Sequence, residues 1–351
     1  MHSLECGCSG RDDSRATRRE FVRRAAALAW TAAIAGLPVG WREGSVAPVR
    51  AGAVPFDLAQ TGGGRWLPRA QLPFPRTEVG VAELNGKVYV LGGYAMGRVD
   101  QPFNQEYDPA TDRWRDLAPM PRGLNHVGVV GLRGRIYAFG GFIEQNRNPI
   151  SDAYEYDASQ DHWRAIRPLR ARRGAMSVVM LDGRLHLVGG RDEASVGAHD
   201  VYDPETDSWS ERAPLPNGRD HLGLVVVDGK IHAIGGRFTT FANNTSLHHL
   251  YDPRTDKWEL RAPLPTPRSG VAAAALGGRI FVVGGETTGH VFPDNEAYDP
   301  ATDRWTVMAP MRTPRHGTGA VTVGNAIYVP AGGLTTGGSQ PSAVHEAFTL
   351  S

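Results

Sequence analysis

A pair of adjacent glycines recurs six times along this 351-residue chain at an almost constant spacing. Successive pairs lie 46 to 49 residues apart, and a tryptophan recurs in step with them. The pairs begin at Gly92, Gly140, Gly189, Gly235, Gly284 and Gly332, and the tryptophans are Trp66, Trp114, Trp163, Trp209, Trp258 and Trp305. A fixed period of about 50 residues indicates one supersecondary unit that is repeated around an axis or along a stack. The period constrains the architecture strongly and the function weakly, because repeat folds carry many unrelated functions.

The first half of each unit has the pattern of a β-hairpin. In one copy, two short runs rich in β-formers, Gly80–Leu84 and Lys87–Leu91, are separated by Asn85-Gly86. This dipeptide is typical of a type I′ turn, in which both central residues have positive φ. The same place is occupied in other copies by Asp182-Gly183, Asp228-Gly229 and Gly277-Gly278. We therefore expect each unit to begin with two antiparallel strands.

The second half of the unit is a strand, a turn and another strand. The pattern Tyr-Asp-Pro-x-Thr-Asp-x-Trp occupies residues 107–114 and recurs at 202–209, 251–258 and 298–305, with a looser copy at 156–163. Aspartate accepts hydrogen bonds from backbone amides two residues on, and proline presets φ, so the segment predicts a turn rather than a metal-binding loop. Each unit is thus expected to hold four strands.

The glycine pair, the Tyr-to-Trp turn and the period together resemble the Kelch repeat family, over essentially the whole segment from Trp66 to Ser351. The resemblance implies an all-β, six-bladed Kelch-type β-propeller in which each blade is a four-stranded antiparallel sheet. Phe348 stands where other blades have tyrosine, and no fourth strand follows it. The N-terminal strand around Trp66 is expected to complete this last blade and pair its open edge. Truncation at either end is then expected to open the circle.

Residues 1–53 have the composition of a twin-arginine signal peptide. Arg18-Arg19 precedes Phe21, an alanine-rich apolar stretch occupies residues 25–40, and residues 51–53 form a small-x-small cleavage site. We expect cleavage after Ala53, release of residues 54–351 as the propeller, and a location in the periplasm or outside the cell. The alternatives are an amphipathic helix and a retained anchor. Because sixteen weakly apolar residues are short for a membrane-spanning helix, no stable span is expected after cleavage.

Cysteine content and charge exclude several function classes. Cys6 and Cys8, the chain's two cysteines, both precede the signal motif, so the mature chain is expected to have none. An enzyme similar to galactose oxidase, which needs a cysteine-crosslinked tyrosine, is therefore not expected. The 38 basic residues nearly balance the 37 acidic residues, and no basic field indicates nucleic acid.

The candidate working face is the one that carries the variable loops between second and third strands and the links between blades. Alignment of the units on the hairpin turn gives three positions that enter each innermost strand. The first holds Arg76, Leu124, Arg173, Arg219, Arg268 and Arg315; the second holds Thr77, Asn125, Gly174, Asp220, Ser269 and His316; the third holds Glu78, His126, Ala175, His221, Gly270 and Gly317. Tyr94, Phe142, Arg191, Arg237 and Glu286 follow glycine pairs beside them.

Five arginines at the first position suit recognition of carboxylates or sugar hydroxyls at the mouth of the central channel. The alternative is that they are structural, because ion-pair networks also gather charges without a function. His126, Asp220 and His221 follow the repeat less closely and are the favoured site residues. The predicted ligand-binding set is Arg76, Asn125, His126, Arg173, Arg191, Arg219, Asp220, His221, Arg237, Arg268, Arg315 and His316.

Two functional hypotheses follow. The first is an exported, non-catalytic recognition propeller that binds an acidic peptide, protein or carbohydrate. The second is a sugar mutarotase, because the chain is similar, more weakly, to exported Kelch enzymes that interconvert sialic acid anomers. An acid/base role would then fall to Glu78, His221 or Glu286. The sequence has no His-Glu-x-x-His, phosphate-binding glycine loop or Gly-x-Ser-x-Gly, and neither a cofactor nor a metal ion is expected.

Overall fold

A computed structural model of the chain describes residues 63–350. The predicted signal peptide, its cleavage site and both cysteines lie outside the described residues and stay predictions. Within the described part, no helix is long and apolar enough to cross a bilayer.

The described residues form 28 strands and three short 3₁₀ turns. The strands of the N-terminal half are β1 (Arg65–Pro68), β2 (Gly80–Leu84), β3 (Lys87–Leu91), β4 (Asn104–Asp108), β5 (Arg113–Leu117), β6 (Gly128–Leu132), β7 (Arg135–Phe139), β8 (Phe142–Glu144), β9 (Arg147–Pro149), β10 (Ala153–Asp157), β11 (His162–Ala165), β12 (Ser177–Leu181), β13 (Arg184–Val188) and β14 (His199–Asp203). Those of the C-terminal half are β15 (Ser208–Glu211), β16 (Gly223–Val227), β17 (Lys230–Ile234), β18 (His248–Asp252), β19 (Lys257–Leu260), β20 (Ala272–Leu276), β21 (Arg279–Val283), β22 (Glu286–Thr287), β23 (His290–Val291), β24 (Asn295–Asp299), β25 (Arg304–Val307), β26 (Val321–Val323), β27 (Ala326–Pro330) and β28 (His345–Thr349). The 3₁₀ turns are Met96–Arg98, Phe241–Asn243 and Thr336–Gly338.

Six four-stranded antiparallel sheets form the blades of a propeller, as the sequence predicts. From the inside outward they are β2-β3-β4-β5, β6-β7-β10-β11, β12-β13-β14-β15, β16-β17-β18-β19, β20-β21-β24-β25 and β26-β27-β28-β1. Neighbouring innermost strands contact one another in a closed circle, in which β26 also touches β2. The apolar core is divided among the spaces between adjacent sheets.

The predicted hairpin turn has the expected backbone geometry. Asn85 and Gly86 have φ of 53° and 76°, the two positive values that a type I′ turn requires. β2 and β3 then pair in the predicted register, from Gly80 opposite Leu91 to Leu84 opposite Lys87. The turn thereby fixes which face of each inner strand is buried.

The repeated Asp and Trp of the first five units join each blade to the preceding blade. The side chain of Asp112 accepts the N–H of Ala70 at 2.9 Å, and the indole N–H of Trp114 donates to the carbonyl of Ala70 at 2.8 Å. Asp112 also accepts the hydroxyl of Tyr107 at 2.6 Å. The same arrangement recurs around Ala118, Arg167, Ala213 and Ala262. The repeated motif is therefore an inter-blade connection.

The last blade is closed by the N-terminal strand. β1 pairs with β28 so that Trp66 lies opposite Phe348, with ring centroids 5.3 Å apart. Trp66 is buried in this blade. The sequence prediction of a split sixth blade is confirmed.

Candidate functional site

The third-position residues form a closed ring of backbone hydrogen bonds around the channel. Each N–H donates to the carbonyl of the corresponding residue in the preceding blade, over distances of 2.6 to 3.1 Å. We call this feature the amide ring; its members are Glu78, His126, Ala175, His221, Gly270 and Gly317. All six have positive φ, between 52° and 64°. The ring therefore needs the left-handed conformation at every position.

Three members of the amide ring carry ionisable side chains in a conformation that favours glycine. For a residue with a Cβ, the left-handed conformation costs about 1–2 kcal/mol. Blades five and six meet the requirement with Gly270 and Gly317, whereas Glu78, His126 and His221 do not. Backbone strain of this kind clusters at functional sites, where a particular side chain is needed. The amide ring therefore marks the candidate site.

Glu78 lies at the centre of the ionisable cluster. Its Oε2 is 3.0 Å from Nε2 of His126, and its Oε1 is 3.5 Å from Nε2 of His316. Gly317 makes room for it, because a Cβ there would lie 2.6 Å from the Glu78 carboxyl carbon. Burial alone would raise the pKa of Glu78, but the neighbouring histidines, chiefly His126, hold that pKa far below its usual value. Glu78 is therefore a buried carboxylate.

A second group joins blades four and five. Nδ1 of His221 donates to Asp220 at 2.5 Å, and Arg237 donates to Nε2 of His221 at 2.9 Å. Arg237 also contacts Asp220 at 3.1 Å and Glu286 at 2.9 Å. Burial, followed by the charge of Arg237, lowers the pKa of His221 to about 4, against the opposing effect of Asp220. His221 is thus a neutral imidazole with its proton on Nδ1.

The opposite side of the cluster fixes the ring of His126. Nδ2 of Asn125 donates to Asp100 at 2.7 Å and to the carbonyl of Phe142 at 3.2 Å. Oδ1 of Asn125 is therefore free to accept Nδ1–H of His126, with which it makes a short contact. Nε2 of His126 consequently faces Glu78.

The 3₁₀ turn Thr336–Gly338, which we call the lid turn, lies over the cluster. The N–H of Gly337 donates to Oε2 of Glu286 at 2.8 Å, and its carbonyl accepts Nε2 of Gln145 at 2.7 Å. Gly338 packs against the hydroxyl of Tyr94, where an added Cβ would have no room. The lid turn therefore connects three other blades across the channel mouth.

Two cavities lie along the channel. One of about 100 Å³ is lined by the amide ring, including Glu78, His126 and His221. The other, of about 320 Å³, is lined by the innermost strands, mainly by valine and alanine. Only the smaller one contacts the ionisable cluster, so we place the candidate site there despite its size.

The first-position arginines lie inside the blades. Arg219 donates to the carbonyls of Gly235 at 2.8 Å and Ala233 at 3.0 Å. Arg76 and Arg268 bond the equivalent glycine carbonyls, and Arg173, Arg268 and Arg315 pair with Asp200, Glu296 and Glu346. All five arginines are buried, at 0–2 % exposure. Their burial leaves no surface for a ligand. The structure therefore favours the alternative that these arginines are structural over the prediction that they bind a ligand at the mouth of the channel.

The remaining predicted residues converge on the channel mouth. Those that belong to the cluster are Asn125, His126, Asp220, His221, Arg237 and His316. Arg191 lies at the edge of the cluster, with its Nη1 3.3 Å from the carbonyl oxygen of Thr239. Glu78 and Glu286, named only as acid/base candidates, are central to it. Sequence reasoning missed Gln145 and Gly337, because variable loops offer no repeated pattern that would mark them.

The comparisons with known proteins agree with this architecture. A search of curated protein sequences found no relative. A solved structure of YjhT superimposes with a TM-score of 0.67 and 17% identity, over 78% of this chain and 95% of that one, a likeness of fold alone. The family model described as the KLHDC2/KLHL20/DRC7 Kelch-repeats domain matches residues 56–236 and 172–338. The chain therefore belongs to the Kelch-repeat family.

Proposed function

We propose that this Kelch propeller binds a small hydroxyl-rich ligand of the carbohydrate class at the channel mouth, beneath the lid turn. The observation that carries the proposal is the presence of Glu78, His126 and His221 at left-handed positions of the amide ring. Glycine would fill those positions without strain, as it does in two other blades. A binding role accounts for the retained side chains, and it accords with a fold that commonly supports recognition.

The charge at the mouth favours a neutral ligand over an acidic one. Among the groups in mutual contact, the carboxylates of Glu78, Asp220 and Glu286 outnumber the single guanidinium of Arg237. The five arginines that suggested an acidic peptide or acidic sugar are buried in the blades. Without a bound cation, an anionic ligand would meet an excess of negative charge, which opposes binding.

The contacts of the lid turn show which polar groups at the channel mouth are available to a ligand. The peptide group of Gly337 satisfies an acceptor on Glu286 and a donor on Gln145. A hydroxyl group is both donor and acceptor, so a pair of sugar hydroxyls could replace that peptide group when the lid turn moves aside. The ring of Tyr94 lies against Gly338 of the lid turn, and aromatic side chains commonly line ligand pockets.

Export by the twin-arginine route is part of the proposal and rests on the sequence of residues 17–23. The ligand would then be one that is met in the periplasm or outside the cell.

A ligand screen tests the binding proposal with two matched glycine variants. His221→Gly and Ala175→Gly both remove a side chain from a left-handed position of the amide ring. We expect Ala175→Gly to keep the free energy of unfolding within about 1 kcal/mol of wild type. His221→Gly also leaves Asp220 and Arg237 without a hydrogen-bond partner, so we expect it to lose about 1–3 kcal/mol, and each thermal shift is measured against the variant's own melting temperature. Neutral sugars, acidic sugars and acidic peptides are compared by thermal shift. We expect a neutral sugar to stabilise the wild type and Ala175→Gly but not His221→Gly. Stabilisation by acidic peptides alone would contradict the proposal.

A second candidate function is carbohydrate mutarotation, and the Glu78–His126 contact of 3.0 Å favours it. A paired carboxylate and imidazole can take the proton of the anomeric hydroxyl and deliver a proton to the ring oxygen, which breaks the ring C–O bond. Closure on the other face of the resulting carbonyl reverses both transfers and gives the other anomer. Anomer exchange of the bound sugar is measured by NMR for the wild type and for Glu78→Gln. Binding without faster exchange would leave a recognition protein; faster exchange that Glu78→Gln abolishes would show an enzyme.

A further inference from the structure

Two histidines of the cluster have their tautomers fixed by the surrounding protein. Nδ1 of His316 donates to the backbone carbonyl of Gly333 at 3.2 Å, and Nδ1 of His126 donates to Oδ1 of Asn125. A neutral imidazole with its proton on Nδ1 carries a lone pair on Nε2. Bonds of this kind, from the distal nitrogen to a carbonyl, orient histidines that bind metals.

Nε2 of His316 points into the cluster without a hydrogen bond. Among the described residues this buried atom has no hydrogen-bond partner, whereas Nε2 of His126 lies 3.0 Å from Oε2 of Glu78, although without hydrogen-bond geometry. Nε2 of His316 faces two carboxylate oxygens, Oε1 of Glu78 at 3.5 Å and Oε2 of Glu286 at 3.4 Å. A lone pair that faces two carboxylates is repelled unless a positive charge lies among them.

The spacing of these atoms suits a metal ion. Bonds from zinc to imidazole nitrogen or carboxylate oxygen are about 2.0–2.2 Å long, which puts neighbouring ligand atoms of a tetrahedral site about 3.4 Å apart. The two His316 distances match this edge, and the ligand atoms of Glu78, Glu286 and His316 all lie within 4.8 Å of one another.

The charges and the neighbouring bonds also fit a divalent cation. The carboxylates of Glu78, Asp220 and Glu286 exceed the guanidinium of Arg237 by two charges, which one divalent ion would balance without a proton on Nε2 of His126 or His316. Arg237 and the N–H of Gly337 hold the two oxygens of Glu286 in place, at 2.9 and 2.8 Å. Buried charges that are left uncompensated are strongly destabilising, so a divalent ion would stabilise the cluster.

We propose that Glu78, Glu286 and His316 bind one divalent transition-metal ion, of the zinc or manganese class. Imidazole and carboxylate together suit these first-row ions. Three protein ligands leave a further coordination position, which a water molecule or a ligand hydroxyl can take. Nε2 of His126 lies 3.0 Å from the second oxygen of Glu78, beside the proposed site. The metal proposal does not depend on the identity of the organic ligand.

Metal titration tests this assignment. Purified protein is stripped with a chelator and titrated with Zn²⁺ or Mn²⁺ alone by calorimetry, with thermal unfolding as a second readout. We expect one ion per chain and a higher melting temperature. His316→Ala and Glu78→Gln should each weaken binding at least about tenfold. His290→Ala removes an exposed histidine of β23 and should leave the affinity unchanged.

Nitrogen NMR of the wild type gives a readout that requires no substitution. On addition of Zn²⁺, we expect the Nε2 resonance of His316 to shift while its Nδ1 stays protonated. Equal affinities for wild type, His316→Ala and Glu78→Gln would overturn the assignment. The assignment would also be overturned if His126 and His316 carried protons on both ring nitrogens at neutral pH and their resonances did not respond to either metal. A proton would then supply the positive charge. Failure of the sugar screen would leave the metal result unaffected.

Discussion

The indole N–H of Trp66 donates a 2.8 Å hydrogen bond to the backbone carbonyl of Ala309, which follows it by 243 residues. Trp66 also packs against Phe348 in the closing blade. We expect Trp66→Ala to lower the free energy of unfolding by about 3–5 kcal/mol, because a large buried aromatic is lost. Arg65→Ala, an exposed change in the same strand, is the control, and urea denaturation measures both. Equal stabilities would show that β1 does not close the circle.

Removal of β1 tests the same closure at the level of the sheet. A chain that begins after Leu72 exposes the edge of β28, and we expect it to self-associate or to lose its cooperative transition, because open edges pair with other chains. Size-exclusion chromatography and thermal unfolding measure these effects. A monomer that melts like the longer chain is the contrary result.

Arg219 is expected to act on stability rather than on binding. Arg219→Ala leaves the buried carbonyls of Gly235 and Ala233 without their donors, and each such loss costs about 1–3 kcal/mol. We expect a total loss of about 2–5 kcal/mol in urea denaturation, whereas the exposed Arg212→Ala should change little. Unchanged stability with lost ligand binding would restore the prediction that this arginine binds a ligand at the channel mouth.

Two buried histidine pairs predict acid sensitivity. Nδ1 of His186 lies 2.9 Å from Nε2 of His199, and His232 contacts His248 in the same way. Burial lowers the pKa of His186 and His248 to about 3, and that of His199 and His232 to about 4. The unfolded chain, with histidine pKa near 6.5, therefore binds these protons first.

Stability should accordingly be complete above pH 6.5 and fall as the pH drops from about 6.5 to 4, by about 1.4 kcal/mol per pH unit for each histidine. Urea denaturation across this range measures the slope. His199→Asn and His248→Asn imitate Asn104 and Asn295, which donate to the equivalent linking carbonyls in other blades. These variants should show a smaller slope, and an unchanged slope would assign the acid sensitivity to other groups.

Gly317 and Gly324 form a matched pair, since both have φ of 61°. A Cβ on Gly324 meets nothing within 4 Å, whereas one on Gly317 would lie 2.6 Å from the Glu78 carboxyl carbon. Alanine should cost both positions about 1–2 kcal/mol of conformational strain. Only Gly317→Ala should displace Glu78 and so weaken Zn²⁺ and sugar binding in calorimetry. Equal binding by the two variants would show that the position of Glu78 is unimportant.

The export prediction is tested in cells. Replacement of Arg18 and Arg19 by lysine should retain the protein inside, and N-terminal sequencing of exported wild type should begin near Val54. Undiminished export of the double lysine variant would exclude the twin-arginine route.

The blade architecture was predictable because each structural contact is repeated with the period. Tyr107, Asp112 and Trp114 have counterparts in other units, and the alternation and turn residues place the strands. The same repetition explains why the first-position arginines were predicted to bind a ligand although they lie inside the blades. A residue type found at one position in five of six blades is, like the tryptophan, a part of the blade, and in the fold it satisfies the carbonyls of neighbouring strands.

The candidate site lies where individual blades depart from the repeated sequence pattern. Asp220, His221 and His316 stand where other blades have small or unrelated residues, and they meet at the channel mouth. The contacts of Gln145 and Gly337 could not be predicted, because they depend on how variable loops of different blades fold across the channel. Local propensity does not determine such contacts.

The amide ring also determines when the proposed ligand site is assembled. Glu78 belongs to the first blade, and its N–H donates to the carbonyl of Gly317, which leads into the last. That bond requires Gly317, which immediately precedes β26, so a chain whose synthesis has not reached this residue carries most of the ionisable groups without their arrangement. A ligand that needs the complete arrangement would therefore be bound only after Gly317 has been added and has closed the ring, and a chain terminated before this residue would not compete for it.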